Sequence, residues 1–262
     1  MIRALMTAAS GMKSQQKMVD TIANNIANVN TGGFKRSSLS FRSLLYQTYE
    51  EPGAATSQQG MNPTGTQIGS GVEISGSRKS FRQGDMEPTS GNFDLAIQGQ
   101  GFFRVALPSG EQRYTRDGHF NRDGNGTVVT SEGYPVESFP QIGSDVIGIS
   151  IAEDGTITTR TTESDIGTTI GQLDLFRFAN PEGLKAQGGN MYSETASSGV
   201  ATGQKAGTAG TGRLFHKHVE RSNVEVVDEL VGLIMAQRNY EVNSRAVRAS
   251  DEMLQQANQI IR

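Results

Sequence analysis

The stretch that decides the architecture runs from Val226 to Ile261 and reads VVDELVGLIMAQRNYEVNSRAVRASDEMLQQANQII. It carries a bulky apolar residue at every seventh position, namely Val226, Leu233, Tyr240, Val247, Leu254 and Ile261. A narrow apolar seam of this period is typical of a coiled-coil helix, because a helix buried in a globular core has a wider apolar face. The sequence therefore predicts a C-terminal helix that packs against another helix.

The N-terminal segment has the same period and is the natural partner. Apolar residues recur every seven positions from Leu5 to Ile26, and a helix is predicted from Ile2 to Asn28, where Asn and Gly residues end it. We expect the two helices to pair through an assembly interface made of Leu5, Met12, Val19, Ile22, Asn25, Ile26, Asn28, Val226, Leu230, Leu233, Tyr240, Val247, Leu254 and Ile261. The alternative is that both helices are amphipathic and pack on the central domain or on each other within one core. The polar Gln15 and Gln237 inside the seam favour helix-to-helix contacts in an array.

Composition excludes several classes of protein. The chain has 262 residues, a formal charge of -3 and no cysteine. The charge gives no electrostatic basis for binding nucleic acid or an anionic membrane, and the lack of cysteine excludes disulfides, thiolate metal sites and a cysteine nucleophile. No apolar run reaches the roughly 18 residues that a membrane span needs. We expect no membrane insertion and no cleaved signal peptide, because the helical pattern continues through the N-terminus.

The centre of the chain changes to a period of two, which predicts an antiparallel β-domain. Apolar residues alternate over 93–97 and 103–107, and turn dipeptides such as Asp123-Gly124 separate short strands. The predicted fold class is α+β, a mainly antiparallel β central domain flanked by N- and C-terminal helices that form a coiled coil. The predicted parts are helix 1–33 paired with helix 222–262, an extended connector or insertion over 34–71, and a β-rich outer domain over 72–221.

Local signals within these parts are of unequal strength. Residues 34–49 fit either a helix or a strand, and 186–212 fit an extended return segment because they contain few large apolar residues. Ser222 and Glu225 have the spacing of a capping box, which predicts that the last helix begins there.

One segment resembles a calcium-binding loop. Asn121, Asp123, Asn125, Gly126 and Glu132 have the spacing of EF-hand ligands, but their neighbours are strand formers and Asp-Gly and Asn-Gly are hairpin turn pairs. A hairpin turn is the favoured interpretation. Two histidines, His216 and His218, would lie on one side of a strand, but two histidines without nearby acidic residues are more often ordinary surface residues than metal ligands. No metal, cofactor or catalytic residue is therefore predicted.

Two other function classes remain open from the residues alone. A pair of carboxylates for polysaccharide hydrolysis could be drawn from Asp117, Asp123, Glu132 or Glu137, although their spacing selects no pair. A calcium-dependent adhesin would need Asp123 and Glu132. Gly99-Gln100-Gly101 lacks a third glycine and a following helix, so it does not predict a dinucleotide loop.

Both ends of the chain resemble bacterial flagellar rod and hook proteins. The resemblance rests on ANNIANVNTGGFK over 23–35, on SNVE at 222–225, on QRNYEVN over 237–243 and on DEML at 251–254. The segments NFDLAIQGQGFF over 92–103 and YTRDGHF over 114–120 are similar to the β-domain of the same family, so the resemblance covers nearly the whole chain.

The resemblance implies a non-enzymatic subunit of an axial tube in the periplasm-spanning basal body. Such a subunit would be exported by the flagellar type III pathway without signal cleavage, and it would polymerise with itself and join other rod and hook proteins. Its terminal helices would form an inner coiled coil, and its β-domain would face the bushing of the P- and L-rings. Residues 46–71 resemble an insertion found in one member of the rod group, and we expect them to act as a strut between subunits that becomes ordered only in the assembled rod.

Overall fold

A computed structural model describes residues 2–53, 55–57, 60, 61, 63–161, 167–208 and 210–260. Two long helices, α1 (Ile2–Ala27) and α2 (Val226–Ile260), lie at the ends of this part of the chain. The strands between them are β1 (Ser37–Ser43), β2 (Tyr46–Glu50), β3 (Ala55–Ser57), β4 (Gly60–Met61), β5 (Thr66–Gly69), β6 (Val72–Lys79), β7 (Met86–Pro88), β8 (Leu95–Gln98), β9 (Phe103–Ala106), β10 (Gln112–Thr115), β11 (Phe120–Arg122), β12 (Val128–Thr130), β13 (Val146–Ile151), β14 (Thr156–Thr161), β15 (Thr168–Gln172), β16 (Asp174–Arg177), β17 (Lys185–Gly188), β18 (Met191–Ser193), β19 (Thr202–Lys205), β20 (Arg213–His216) and β21 (His218–Glu220). A short 3-10 helix, Pro181–Gly183, precedes β17.

The chain folds into two compact units, each made of separate stretches of sequence. Unit 1 contains residues 1–26, 37–78 and 225–262, and unit 2 contains residues 27–36 and 79–224. The predicted boundaries near 33, 71 and 221 stay predictions. The structure groups 27–36 with the β-rich unit, and it groups the strands over 37–78 with the two helices.

Unit 1 combines the two helices with a β-hairpin, which we call the arm (residues 46–69). In the arm, β2 pairs antiparallel with β5, and the short β3–β4 pair lies towards its end. The backbone N–H of Leu44 donates to the carbonyl of Gly71 at 2.9 Å, so the two chain segments at the base of the arm are adjacent. Residues 34–49, for which the sequence fits either a helix or a strand, contain β1 and most of β2.

Unit 2 is built from antiparallel ladders around two groups of buried apolar side chains. The first group includes Leu95, Phe103, Ile157 and Leu175, all at most 1% exposed. The second group is mainly aromatic, with edge-to-face contacts such as the one between Phe102 and Phe178 at 5.5 Å between ring centroids.

The α+β fold class is confirmed, with small antiparallel sheets between two terminal helices. One local prediction is wrong, because 186–212 is not a single return segment. It contains most of β17 and all of β18 and β19, of which β17 pairs with β18 and β19 pairs with β16. Their ladders satisfy the backbone hydrogen bonds, so these strands form without a row of large apolar side chains.

The predicted hairpin is confirmed at the calcium-like segment. β11 pairs antiparallel with β12, and the amide of Gly126 donates to the carbonyl of Asp123 at 2.9 Å to close the turn. The expectation that His216 and His218 share one side of a strand is wrong. Lys217 between them has φ +58°, a left-handed conformation that ends β20 and begins β21.

Candidate assembly interface

The two helices of unit 1 pack side by side in opposite directions. Gly11 lies against Asn243, Gly232 lies against Ile22, and the amide of Asn25 donates to Glu229 Oε2 at 3.2 Å. From the first contact to the second, the position moves eleven residues forward on α1 and eleven backward on α2. From the second contact to the third, the position moves three residues forward on α1 and three backward on α2. The helices are therefore antiparallel and keep one register over this length.

The predicted interface residues divide into three groups by exposure. Ile22 and Asn25 are buried. Half-buried positions are Leu5, Met12, Val19, Ile26, Asn28, Leu233, Val247 and Leu254, while Val226, Leu230 and Tyr240 are exposed. Ile261 lies outside the described residues. The structure thus brings Ile22 and Asn25 to the contact with α2, and the part that the fourteen residues play in assembly stays a prediction.

The most buried positions of α2 were missed by the sequence analysis. They are Glu229, Ala236 and Ser250, each at most 4% exposed, and together with Asn243 they hold a spacing of seven. These side chains are small or polar, so a search for large apolar residues does not find them. Their own period of seven is the signal that could have identified them. This repeat of small or polar residues is offset by three or four positions from the repeat of apolar residues.

The first three turns of α2 expose large apolar side chains on the side away from α1. Val227, Leu230, Val231, Ile234 and Met235 are 46–73% exposed. Apart from Asp228 and Glu229, all residues over 226–236 are apolar or glycine, so this part of the helix is apolar on most of its circumference. A helix of that kind is normally buried on all sides.

The arm presents a second exposed apolar surface in unit 1. Tyr46, Tyr49 and Ile68 are about half exposed or more, and Leu45 at the base of the arm is 88% exposed. Arg3 of α1 donates to the hydroxyl of Tyr49 at 2.7 Å and to the carbonyl of Ile68 at 3.1 Å. The arm is thus held against the start of α1, with its aromatic residues still open to solvent.

Unit 2 holds a buried ionic cluster that joins distant parts of the chain. Glu220 Oε1 accepts from Lys35 Nζ at 2.5 Å and from the amide of Gly84 at 2.9 Å. Glu220 Oε2 accepts from Arg116 Nη1 at 3.2 Å, and none of the three charged side chains is more than 4% exposed. Burial lowers the pKa of Lys35 below 10.5, whereas the charge of Glu220 raises it.

Asn223 makes the polar contacts that replace the predicted capping box. Its Oδ1 accepts from the amide of Arg36 at 2.8 Å, and its Nδ2 donates to the carbonyls of Ser80 and Arg82, each at 2.9 Å. The hydroxyl of Ser222 accepts from the amide of Val224, and α2 begins only at Val226. The prediction that Ser222 caps the helix is therefore wrong, since residues 222–224 are held by unit 2.

The carboxylates considered for catalysis are only partly brought together. Asp117 and Glu132 line one polar cleft of about 250 Å³ with His119, while Glu137 pairs with Arg104 and Asp123 lies in the β11–β12 turn. Burial raises the pKa of Asp117 above 3.8, the N–H of His119 opposes this, and Asp94 and Glu132 raise it further. Glu132 lines this cleft and Asp123 does not, so the structure does not bring these two EF-hand positions into one lining.

Two further kinds of feature are absent from the part of the chain that the structure describes. In it, no group of three or more histidine, aspartate or glutamate side chains is arranged to hold a metal ion. No helix there is long and apolar enough to cross a membrane.

Comparisons with known proteins agree with the resemblance of the two ends. Three family models match: "Flagella basal body rod protein" over residues 5–35, "Flagellar hook protein FlgE/F/G D1 domain" over 96–159, and "Flagellar basal body rod FlgEFG protein C-terminal" over 216–260. The flagellar basal-body rod protein FlgG of Borreliella burgdorferi is 44% identical, with 100% of both chains covered. The chain belongs to the flagellar basal-body rod protein family. The resemblance drawn from the sequence is confirmed.

Further relatives in this rod protein family cover the chain almost completely. FlgG of Caulobacter vibrioides is 43% identical over 99% of each chain, and FlgG of Bacillus subtilis is 38% identical over 98% of each. The crystal structure of the Helicobacter pylori hook protein FlgE2 is 11% identical, covers 71% of this chain and 43% of its own, and has a TM-score of 0.24. This likeness is too weak to indicate a shared fold.

The residues of the polar contacts lie inside the segments that the family models match. Asn25 and Lys35 belong to the first segment, Arg116 to the second, and Glu220 and Asn223 to the third. The contacts of this rod protein therefore connect the matched N-terminal and C-terminal segments within each unit. As a member of the family, the chain is a structural component of the flagellar basal body.

Proposed function

We propose that the chain is the subunit of the distal rod, which self-assembles into a rigid helical tube that crosses the periplasm and transmits torque to the hook. It is exported without signal cleavage, it adjoins other rod and hook proteins, and the P- and L-rings form a bushing around it. It has no catalytic activity. The proposal is supported by the rod proteins that it resembles along its whole length and by the surfaces that one chain leaves uncovered.

The observation that carries the proposal is the apolar start of α2. Five large apolar side chains in its first three turns are 46–73% exposed. Exposed apolar patches beyond a few hundred Å² mark interaction surfaces on monomeric proteins. A contact between two different surfaces of identical chains repeats without closing unless the rotation forms a ring, and the product is a helical filament. The start of α2 is the surface that such a contact buries.

The decisive experiment separates assembly from folding. Leu230 is 46% exposed, so Leu230→Asp should cost about 0.5 kcal/mol or less in the stability of the free chain. Electron microscopy over a concentration series should show tubes for the unaltered chain and none for this variant. Asn239→Asp adds the same charge at an exposed polar position and should leave the tubes intact. Tubes formed by Leu230→Asp, with normal length and diameter, would falsify the proposed interface.

We also infer that the arm is a strut between neighbouring subunits. Its exposed Tyr46, Tyr49 and Ile68 offer apolar contact area, and the pairing of Leu44 with Gly71 means that the arm can be removed without leaving a gap. A variant that lacks 46–69 should fold as before but form tubes that bend more or do not form. Replacing Tyr46 and Tyr49 by serine, with the arm retained, should weaken assembly in the same direction. Unchanged tube stiffness and motility in the deletion variant would contradict the strut.

A proximal rod subunit is the alternative within the same family. The arm favours the distal position, since the insertion that it resembles is a feature of that rod member. Electron cryotomography of basal bodies that carry an electron-dense tag on this protein should place the tag near the hook end of the rod. A tag near the inner membrane would support the alternative.

A further inference from the structure

The turn between β11 and β12 holds the single Asn-Gly pair of the chain, Asn125-Gly126. Glycine has no side chain to block the approach of its backbone nitrogen to the side-chain carbon of a preceding asparagine, so such pairs lose the side-chain amide more readily than other pairs. The fold requires this glycine. Gly126 has φ +81°, and a Cβ there would overlap the carbonyl oxygen of Ile142. The reactive pair is therefore retained as long as position 125 is asparagine.

Loss of the Asn125 amide needs a defined approach of two groups. The backbone nitrogen of Gly126 gives up its proton and bonds to Asn125 Cγ, the bond from Cγ to Nδ2 breaks, and Nδ2 leaves with a proton as ammonia. Water then opens the resulting succinimide ring at either carbonyl and gives aspartate or isoaspartate at position 125. The nitrogen attacks through the face of its peptide plane, so this plane must be free to turn towards Cγ.

The closed turn holds this peptide plane at both edges. The N–H of Gly126 donates to the carbonyl of Asp123 at 2.9 Å, and the carbonyl of Asn125 accepts from Gln141 Nε2 at 3.3 Å. The leaving amide is also held, because Asn125 Nδ2 donates to Asp123 Oδ2 at 3.3 Å. The N–H of Asp123 donates to the carbonyl of Thr127 at 2.8 Å and closes the hairpin around the pair. Turning the peptide plane would break these bonds, so the reaction has to wait until the turn opens.

We propose that Asn125 is a site of spontaneous deamidation that the closed β11–β12 turn blocks and the opened turn permits. The side chain of Asn125 is exposed, so water reaches it in both states. The rate in the folded chain is then the rate in the open chain multiplied by the fraction of time that the turn is open. Isoaspartate lengthens the main chain by a methylene group, so the turn cannot close again in its original form. The inference concerns one turn within unit 2 and does not depend on the proposed function.

Peptide mapping of the full-length chain tests the proposal. Trypsin releases residues 123–160, in which Asn125 is the only asparagine, and mass spectrometry with detection of isoaspartate measures the product. The chain is incubated at neutral pH, once folded and once unfolded in guanidinium chloride. The folded chain should deamidate at least about tenfold more slowly, which corresponds to about 1.4 kcal/mol for opening the turn. Equal rates in the two samples would overturn the proposal.

Variants that loosen the turn but keep the Asn-Gly pair complete the test. Asp123→Ala removes the carboxylate that accepts from Asn125 Nδ2 and from the amide of Gly124 at 2.7 Å. It should raise the rate in the folded chain about two- to tenfold, the effect of losing one hydrogen bond on the opening equilibrium, and should leave the unfolded rate unchanged. Gln141→Ala frees the carbonyl of Asn125 and should act in the same direction.

Glu111→Ala is the matched control, because it removes an exposed carboxylate from the β9–β10 turn instead. It should leave the deamidation rate of Asn125 at the natural value in both samples. If neither Asp123→Ala nor Gln141→Ala raises the rate in the folded chain, the turn does not control the reaction and the proposal is overturned.

Discussion

Replacing Glu220 by glutamine should destabilise unit 2 more than any other single loss of charge in its buried ionic cluster. Glu220 is the one carboxylate between Lys35 Nζ at 2.5 Å and Arg116 Nη1 at 3.2 Å. Glutamine leaves two cations buried beside a neutral group, and its own NH₂ would face one of these donors. Breaking a buried ion pair by removing one partner costs about 3–5 kcal/mol. Domains are typically stable by only about 5–15 kcal/mol, so the effect is large.

The order of the variants follows from the geometry. Lys35→Met leaves Glu220 paired with Arg116 and bonded to the amide of Gly84, so it should cost less than Glu220→Gln. The double variant should cost less than the sum of the two single variants, because the residues share one network. Glu87→Gln is the control, since Glu87 pairs with Arg221 at 3.6 Å and is 58% exposed. It should cost about 0.5 kcal/mol or less.

Urea unfolding followed by tyrosine emission measures these differences. The chain has no tryptophan, so no indole emission interferes. Tyr114 and Tyr192 are buried in the aromatic core of unit 2, whereas Tyr46, Tyr49 and Tyr240 of unit 1 are already exposed, so the change in emission on unfolding comes mainly from unit 2. The reasoning is refuted if Glu220→Gln costs no more than Glu87→Gln. It is also refuted if Lys35→Met proves the more damaging of the two core variants.

Three further predictions follow from single positions. The pKa of Asp117 is raised in the folded chain, so ionisation of this carboxyl destabilises the fold as pH rises above 3.8. Asp117→Asn should therefore unfold at a higher urea concentration than the natural chain at pH 7. This gain in stability should shrink as pH falls towards 3.8, where the natural side chain is protonated in both states. Gly33 has φ +66°, and a Cβ there would lie 2.6 Å from the amide nitrogen of Asp117, so Gly33→Ala should lower thermal stability by about 2 kcal/mol or more. Gly110→Ala, with φ +82° and open space around it, should cost only about 1 kcal/mol. Tyr49→Phe removes the acceptor of Arg3 and should speed amide hydrogen exchange in the arm without changing exchange in unit 2; an unchanged arm would show that this contact does not hold it.

Periodicity predicted the helices because each helix is long and its pattern is local. The helix expected from Ile2 to Asn28 is observed over Ile2–Ala27. The alternation over 103–107 likewise predicted a strand, and β9 is observed over Phe103–Ala106. In β8, the alternation of Leu95 and Ile97 with Ala96 suggested one buried face, yet all three residues are buried. Packing on both faces of a strand is a property of the whole fold, which a local pattern does not contain.

The ionic cluster could not be predicted from the sequence. Lys35 and Glu220 are 185 residues apart, and lysine, arginine and glutamate are almost always exposed in proteins unless they are paired. Asn223 illustrates the same limit. Residues 222–225 have the local pattern of a helix cap, but the side chain of Asn223 bonds Arg36, Ser80 and Arg82 instead, and the helix starts later. Contacts across the fold decided the local structure in both places.

The helix pair of unit 1 is buried along a different set of α2 residues from the apolar repeat. The apolar repeat through Leu233, Val247 and Leu254 is half-buried, whereas the small or polar repeat through Glu229, Ala236 and Ser250 is buried. Small side chains let the helices approach closely, as at Gly232, where a Cβ would lie 3.4 Å from Ile22 Cδ1. The larger apolar residues are then displaced to the edges of the contact, where one chain covers them only in part. Such half-covered edges have apolar area left for a neighbouring subunit, and this is the property that a polymerising helix pair needs.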